Sequence, residues 1–542
     1  TNELQTDDVP GLIAALTYVY IPYHLFDLYV RAALAESVGF VFVPLVLWGF
    51  YEVVTRPHLP ALLWAALAYA GLMFTSNLLA LIFTPILGVY VALMILWQLF
   101  WPVAQAAADS VPDPTGRQTS GLFSIPIFSD HFQRMRDHRL GAVILAGLPS
   151  LFVLVLGLGL SALFWLPAFL EYRFVRVDQW VGGRFAFGDD FVELYQLFSP
   201  RWGFGASIPG PDDQAGFQIG LAALVLFALS FLIVPRLIRL PVRRTFYFFQ
   251  GMTLATIFLT APISSPVWTY LPLSSFAQFP WRLLVVVAPF ISIVAGAVVA
   301  NVDQPRPAGV SRYSGIGTQL PIPLSVIILS CLILLSSYPY LRADVRDPRP
   351  TEGPVSQAAL FRFQQSADEM TGQTAWVRHI PNWSTLAERV ERGGDITTKV
   401  NYSVMPGDNS VGVYSMEMNS IHELLWVGTE RPGQSVTFFV PYYPGWQAYI
   451  YEDLGPHDGN LDEEVGPVTR IGPVVDRPQI QVTVREGWMV VPIPTGSHFL
   501  ELRFEDTPVR VAGRWITIAS FLLVGLLFLW SYHKRRRIPR ET

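Results

Sequence analysis

Residues 146–165 read AGLPSLFVLVLGLGLSALFW, a run without a single charged side chain. A helix needs roughly 20 apolar residues to cross the hydrocarbon core of a bilayer, and a soluble domain does not expose such a run. Working outward, the pattern recurs, for example at Leu283–Ala300 and Trp515–Trp530. Apolar length predicts about ten spans, near 10–23, 38–54, 59–75, 78–100, 141–169, 216–235, 245–262, 283–301, 321–338 and 513–531. The expected class is a polytopic α-helical membrane protein. Hydrophobic residues make up 52% of the chain and charged residues only 15%, a balance shifted away from ordinary soluble domains. A formal net charge of -5 with no concentrated basic face argues against a nucleic-acid partner. Cys331 is the only cysteine, so no disulfide within the chain and no cysteine-based metal site is expected.

Basic loops stay on the cytoplasmic side. The tail HKRRR at 533–537, the loop RLIRLPVRR at 236–244 and the loop 105–139 with its QRMRDHR agree on one topology. Both termini are then cytoplasmic, in what reads as a bacterial inner membrane, and the polar block 339–510 lies outside. This block holds 23 acidic and 14 basic residues, a solvated acidic composition. Its segments VGVYSMEM, SVTFFVPYY, WQAYIYED, QIQVTV, WMVVPIP and HFLELRFED alternate or are rich in β-branched and aromatic residues, and Gly, Pro and Asp bound them. They predict an extracytoplasmic β-sandwich, preceded by a helix near 356–370. The expected division is a helical bundle over 1–338, with outer loops at 24–37, 171–215 and 263–282. The β-rich domain follows over 339–510, then a final span and basic tail over 511–542. The polar stretch 110–124 reads as a cytoplasmic loop.

Three constellations on the outer side carry candidate chemistry. In YHLFDLYVRAALAE, residues 23–36, Asp27 and Arg31 stand four apart and pair on one helix face, with Glu36 about a turn further on. Charges at a membrane border are costly unless paired or functional. Arg31 suits a lipid phosphate and Asp27 or Glu36 a base; the plain alternative is a structural ion pair. The loop 171–215 contains Glu171, Arg173, Arg176 and Asp178, then Asp189-Asp190, then SPRWGFG with Arg201. Paired carboxylates suit a divalent metal or base, and arginine suits phosphate through its fork geometry. Asp189-Asp190 also reads as an N-cap before FVELYQLF, and that reading is preferred. In FAQFPWR, Arg282 begins a span, where the helix dipole prefers an anion. Such a cation hints at an anionic ligand; the alternative is an interfacial Trp–Arg anchor. The sequons Asn382-Trp383-Ser384 and Asn401-Tyr402-Ser403 are short and unspecific.

Taken together, PYHLFDLYVRAALAE, LFSPRWGFG followed by FQIG, QFPWR, and the ending VPYYPGWQAYI…VPIPTGSHFLELRFEDTPVR resemble a bacterial family of large membrane proteins. That family carries the label "pyruvoyl-tetrahydropterin synthase-related", with no pterin chemistry implied. The family in turn resembles the GT-C superfamily, whose members transfer a sugar from a polyprenyl-phosphate carrier outside the cytoplasm, with an outer-loop aspartate near the N-terminus as base or metal ligand. The resemblance implies a polyprenyl-phosphate donor. Arg31, Arg201 and Arg282 are the candidates for its phosphate because all three fall at the outer interface. The acidic outer loop of the family has no match in this chain, so its aspartate role is not carried to Asp27, and an upstream segment is expected to be separate or missing. The competing expectation is a non-catalytic subunit of a larger membrane assembly, bioenergetic in kind, that keeps the scaffold and docks on protein partners.

Overall fold

The computed structural model describes residues 9–100, 139–182, 186–199, 203, 215–237, 240–271, 274–299, 324–341, 373–378, 389–390, 392, 394, 396–405, 410–456, 469–471, 479–480 and 482–536. The expected helix at 356–370 and the loop 110–124 lie outside them. The chain divides into two compact units. One comprises residues 1–165, 181–344 and 514–542; the other comprises 166–180 and 345–513.

The first unit is helical. Its elements are α1 (Val9–Tyr20), α2 (Pro22–Tyr29), α3 (Leu34–Thr55), α4 (Leu59–Thr75), α5 (Asn77–Phe100), α6 (Arg139–Leu160), α7 (Ala162–Leu170, continuing past the boundary), α8 (Leu221–Leu237), α9 (Leu240–Thr260), α10 (Leu284–Val299), α11 (Leu324–Ser336) and α12 (Pro508–Arg536, entering from the second unit). Among the described residues, four helices are long and apolar enough to cross a membrane, in α3, α5, α10 with its lead-in, and α12. Three more qualify as bent pairs, α1 with α2 at 41°, α6 with α7 at 81°, and α9 with Pro262–Tyr270 at 88°. Helices α4, α8 and α11 are apolar but shorter. Each of the ten runs read as spans therefore contains a helix, and three of those helices fall short of span length. The stretch expected as an outer loop from residue 24 begins as helix: the chain breaks at Ile21 and restarts at Pro22. Proline suits this first helical position because its missing N–H has no partner there anyway.

α10 is the centre of this unit. Its sequence LVVVAPFISIVAGAVV is apolar all round, and it packs against α1, α8 and α9. A Cβ at Gly296 would meet the Pro10 carbonyl oxygen at 2.6 Å and Ala14 at 3.0 Å, so glycine sets the approach of α1 to α10. Gly49 of α3 does the same against Ala65 of α4 at 2.9 Å. Close backbone approach through small residues is what drives helix association where burial from water cannot.

The second unit is built on two antiparallel sheets. One has the order β1-β2-β9-β4-β5, with β6 also on β4; the other has the order β3-β8-β7. The strands are β1 (Val411–Met418), β2 (His422–Thr429), β3 (Ser435–Pro441), β4 (Trp446–Pro456), β5 (Thr469–Ile471), β6 (Gln479–Ile480), β7 (Thr483–Arg485), β8 (Trp488–Pro492) and β9 (Gly496–Phe504). Leu425, Val427, Leu500 and Leu502 of the larger sheet and Val436, Phe438, Met489 and Val491 of the smaller share one apolar core. β7 and β8 are joined by Glu486 and Gly487, both at positive φ (54° and 96°), as a tight two-residue hairpin turn requires. The segment QIQVTV divides between β6 and β7, every other segment read as a strand contributes one, and β2 and β5 are additions.

Candidate functional site

The site is built from the break between α2 and α3. Asp27 sits on α2 with no exposed surface. Past the end of that helix, Ala32 adopts a left-handed φ of 52° and the chain turns back into α3. The turn brings Arg31, Glu36 and Ser37 onto Asp27. Arg31 Nη1 donates to Asp27 Oδ1 and, at 3.1 Å, to Glu36 Oε2. Ser37 Oγ donates to Asp27 Oδ2 at 3.1 Å. One guanidinium thus serves two carboxylates, and its carbon lies 4.4 Å from the centre of the Trp281 ring.

Trp281 arrives from the other side of the site. Gln278, at a φ of 62°, turns the chain into the short helix Pro280–Leu283 that leads into α10. Left-handed backbone costs a non-glycine residue roughly 1–2 kcal/mol, and among the described residues of the helical unit the two that adopt it, Ala32 and Gln278, lie beside the cluster's arginines. Arg282 Nη1 donates to Gln278 Oε1 at 2.6 Å and to the Ala277 carbonyl at 3.2 Å. Its guanidinium lies over Phe279 at 4.8 Å and Trp281 at 5.8 Å. Phe279 stacks on Trp281 at 5.0 Å, Phe217 packs on Trp281 at 5.6 Å, and Phe26 on Phe217 at 6.2 Å. Gly220, at a φ of 98°, abuts Pro22, where a Cβ would approach the ring at 3.0 Å. The segments YHLFDLYVRAALAE, FQIG and QFPWR, far apart in sequence, therefore meet.

Three donors in this cluster are buried without a hydrogen-bond partner among the described residues: Tyr23 Oη, Trp281 Nε1 and Arg282 Nε. Tyr23 has no exposed surface and Trp281 only 4%. Tyr23 feels the charges of Asp27, Arg31, Glu36 and Arg282, so all belong to one electrostatic neighbourhood. Leaving a buried donor unsatisfied costs about 1–3 kcal/mol, and several in one place call for an explanation such as an acceptor that binds there. The arrangement suits an anion held by Arg282, Tyr23 and Trp281.

Arg31 and Arg282 are thus brought together with Asp27 and Glu36; Arg201 lies outside the described residues. Sequence reasoning passed over Tyr23, Ser37 and Gln278 as participants, and the structure packs Trp281 into the interior of the cluster. Glu171 and the arginines near it do other work. Glu171, 3% exposed, accepts from the Thr507 hydroxyl, from Tyr443 Oη at 2.6 Å and from Arg510 Nε at 3.2 Å. Burial alone would raise its carboxyl, but these three donors outweigh it and hold it below the usual glutamate range. Arg176 pairs with Asp178 at 2.7 Å and reaches the Val377 carbonyl. The N-cap expected from Asp189-Asp190 is corrected: FVELYQLF forms only a single turn, Leu194–Leu197, and Glu193 caps it in a reciprocal box with Gln196. The Glu-x-x-Gln spacing was the available signal. Asn401 is buried and its Oδ1 accepts from Ser403, while Asn382 lies outside the described residues. Among the described residues, no three His, Cys, Asp or Glu side chains are grouped to hold a metal ion.

An apolar groove of about 310 Å³ lies elsewhere in the helical unit, lined by Phe50 of α3, Leu87, Val91 and Ile95 of α5, and Val143 and Leu154 of α6. Along α3, Phe50 stands fourteen residues from Glu36, roughly 20 Å at helical rise. No protein-family model, curated protein or solved structure matches the chain.

Proposed function

We propose that this chain is a GT-C-like membrane glycosyltransferase, or the C-terminal part of one, that takes a sugar from a polyprenyl-phosphate donor on the extracytoplasmic face. The observation that carries the reading is the convergence of three family-like segments on one buried cluster with two arginines and three unpartnered donors. Arg282, with Tyr23 and Trp281, holds the donor phosphate, and Arg31 borders it; Arg201 of SPRWGFG stays a candidate from the sequence alone. The apolar groove accommodates part of the isoprenoid tail. The basic tail from His533 is cytoplasmic and the β-rich unit is extracytoplasmic, following the distribution of basic loops. The test is transfer of a radiolabelled sugar from polyprenyl-phosphate donors by the full chain in nanodiscs. Arg282→Gln should weaken carrier binding by about 1–3 kcal/mol, the worth of a charge-assisted hydrogen bond. Unchanged binding would remove Arg282 from the site.

A second reading, a non-catalytic subunit of a larger membrane assembly, has its own support. Both carboxylates of the cluster are held by Arg31, so neither stands ready as a base. Only 17% of the apolar window of α12 is buried by the rest of the chain, which leaves a long helix face for a partner. Stoichiometric partners in the purified material, with no sugar turnover, would select this reading.

A further inference from the structure

We propose that Asp27 and Glu36 make the anion site at Arg282 selective for a singly charged phosphodiester over a doubly charged phosphomonoester. The inference rests on the phosphate site of the proposed function and adds which phosphate that site accepts.

The argument is one of charge. Arg31 is not an uncommitted cation, because it already bridges Asp27 and Glu36. Asp27 is fully buried and fixed a second time by Ser37. Glu36 is 12% exposed. What remains for an incoming anion is one positive charge, on Arg282, and two neutral donors, Tyr23 Oη and Trp281 Nε1. Both carboxylates are within electrostatic reach of Arg282 and of Tyr23. The four charged side chains sum to zero before a ligand enters. A diester leaves the site with one surplus negative charge and a monoester with two. Like charges repel steeply where water is excluded, so the second ligand charge is the one rejected. Discrimination of this kind, by an element that repels the wrong ligand, is a general route to specificity. A sugar joined to a polyprenyl phosphate is a diester, whereas the carrier left after transfer is a monoester. The same carboxylates that admit the donor therefore expel the spent carrier. A phospholipid headgroup is also a diester and shares the chemistry.

The experiment measures binding of methyl dodecyl phosphate and dodecyl phosphate to the full chain in nanodiscs at about pH 8, where a phosphomonoester with a second pKa of about 6 is a dianion. The two probes share a tail and differ by one charge. We expect the diester to bind about tenfold tighter, as a single extra like charge in a partly buried site implies. Glu36→Gln and Asp27→Asn should each narrow the ratio, and Arg282→Gln should weaken both ligands. Equal affinity, or tighter binding of the monoester, overturns the proposal, as does an unaltered ratio in Glu36→Gln. That variant sits at the edge of the cluster and keeps the test open should Asp27→Asn fail to fold. Displacement of methyl dodecyl phosphate by dimethyl phosphate supports a soluble diester as occupant, and failure to displace supports a lipid one. Sugar transfer assayed on the same preparation separates the two ideas. Transfer without charge preference keeps the glycosyltransferase reading and overturns this inference; charge preference without transfer does the reverse.

Discussion

Glu171→Ala should loosen the β-rich unit by about 3 kcal/mol. The carboxylate is 3% exposed and collects three donors that come from two separate stretches of that unit: Tyr443 before β4, and Thr507 and Arg510 at the start of α12. A hydrogen bond to a charged acceptor contributes about 1.5–3 kcal/mol. Arg510 is 34% exposed along its side chain, so its share is discounted to about 1 kcal/mol or less for solvent screening. The two hydroxyls supply the remainder, reduced because water reaches the emptied site. At 1.4 kcal/mol per decade the change is about a hundredfold in the opening equilibrium. Hydrogen exchange of the full chain, read on peptides covering β3 and β9, should accelerate by that factor, with peptides from α10 unchanged as an internal control. Glu171→Gln should fall between the two, since an amide oxygen still accepts from one hydroxyl but offers Arg510 no charge. The pH dependence has a definite sign. The folded carboxyl lies below its ordinary value of 4.5, so its contribution is fully present above that value and is lost as pH falls through the folded one. The gap between wild type and Glu171→Gln should therefore close in acid. Exchange in β3 and β9 that ignores Glu171→Ala would refute the reasoning.

Further outcomes follow from other contacts. Glu423, fully buried, accepts from the Thr398 and Ser415 hydroxyls and the Lys399 amide; Glu423→Ala should cost about 3–5 kcal/mol by leaving buried donors unpaired, visible as loss of protease resistance across 411–504. Gly296→Leu should lower the melting temperature of the purified chain through an overpacking cost of about 1–3 kcal/mol against Pro10 and Ala14; an unchanged melting temperature would mean that α1 does not rest on α10. For topology, a membrane-impermeant thiol label should reach Glu417→Cys in intact cells and Lys534→Cys only after permeabilisation, in a Cys331→Ser background; the opposite pattern would invert the proposed orientation.

The helical half of the fold was legible because its signal is the simplest one: long runs such as Leu283–Ala300 carry no charge, and each folds as helix. What apolar length does not report is where a run bends. The break at Ile21 had a local marker in Pro22, yet the apolar residues on both sides masked it. β2 was missed for a related reason. Its residues alternate in burial, but Leu424 and Trp426 on the second face pack against Tyr449, Tyr451 and Phe499. Both faces are therefore apolar, and no period of two survives in the sequence. Glu423, a charge on the inner face, hid the pattern further. At the cluster, the pairing of Asp27 with Arg31 follows from helical spacing. The meeting of Arg31 with Trp281 depends on two left-handed turns at Ala32 and Gln278, residue types that carry no such preference.

The strand order of the larger sheet bears on how the protein is made. β9 lies between β2 and β4 and pairs with both, yet it leaves the ribosome after both of them. Until Gly496–Phe504 emerges, the hairpin β1-β2 and the strand β4 present bare edges to each other with nothing to join them. Such edges recruit other chains, and incomplete domains are most exposed to misassembly during synthesis. Once β9 is in place, only the short link through Glu505 and Asp506 separates it from Thr507, the residue whose hydroxyl engages Glu171. The nascent chain thus passes from two separate groups of strands to one continuous sheet within the synthesis of a few residues, just before the apolar helix α12 emerges.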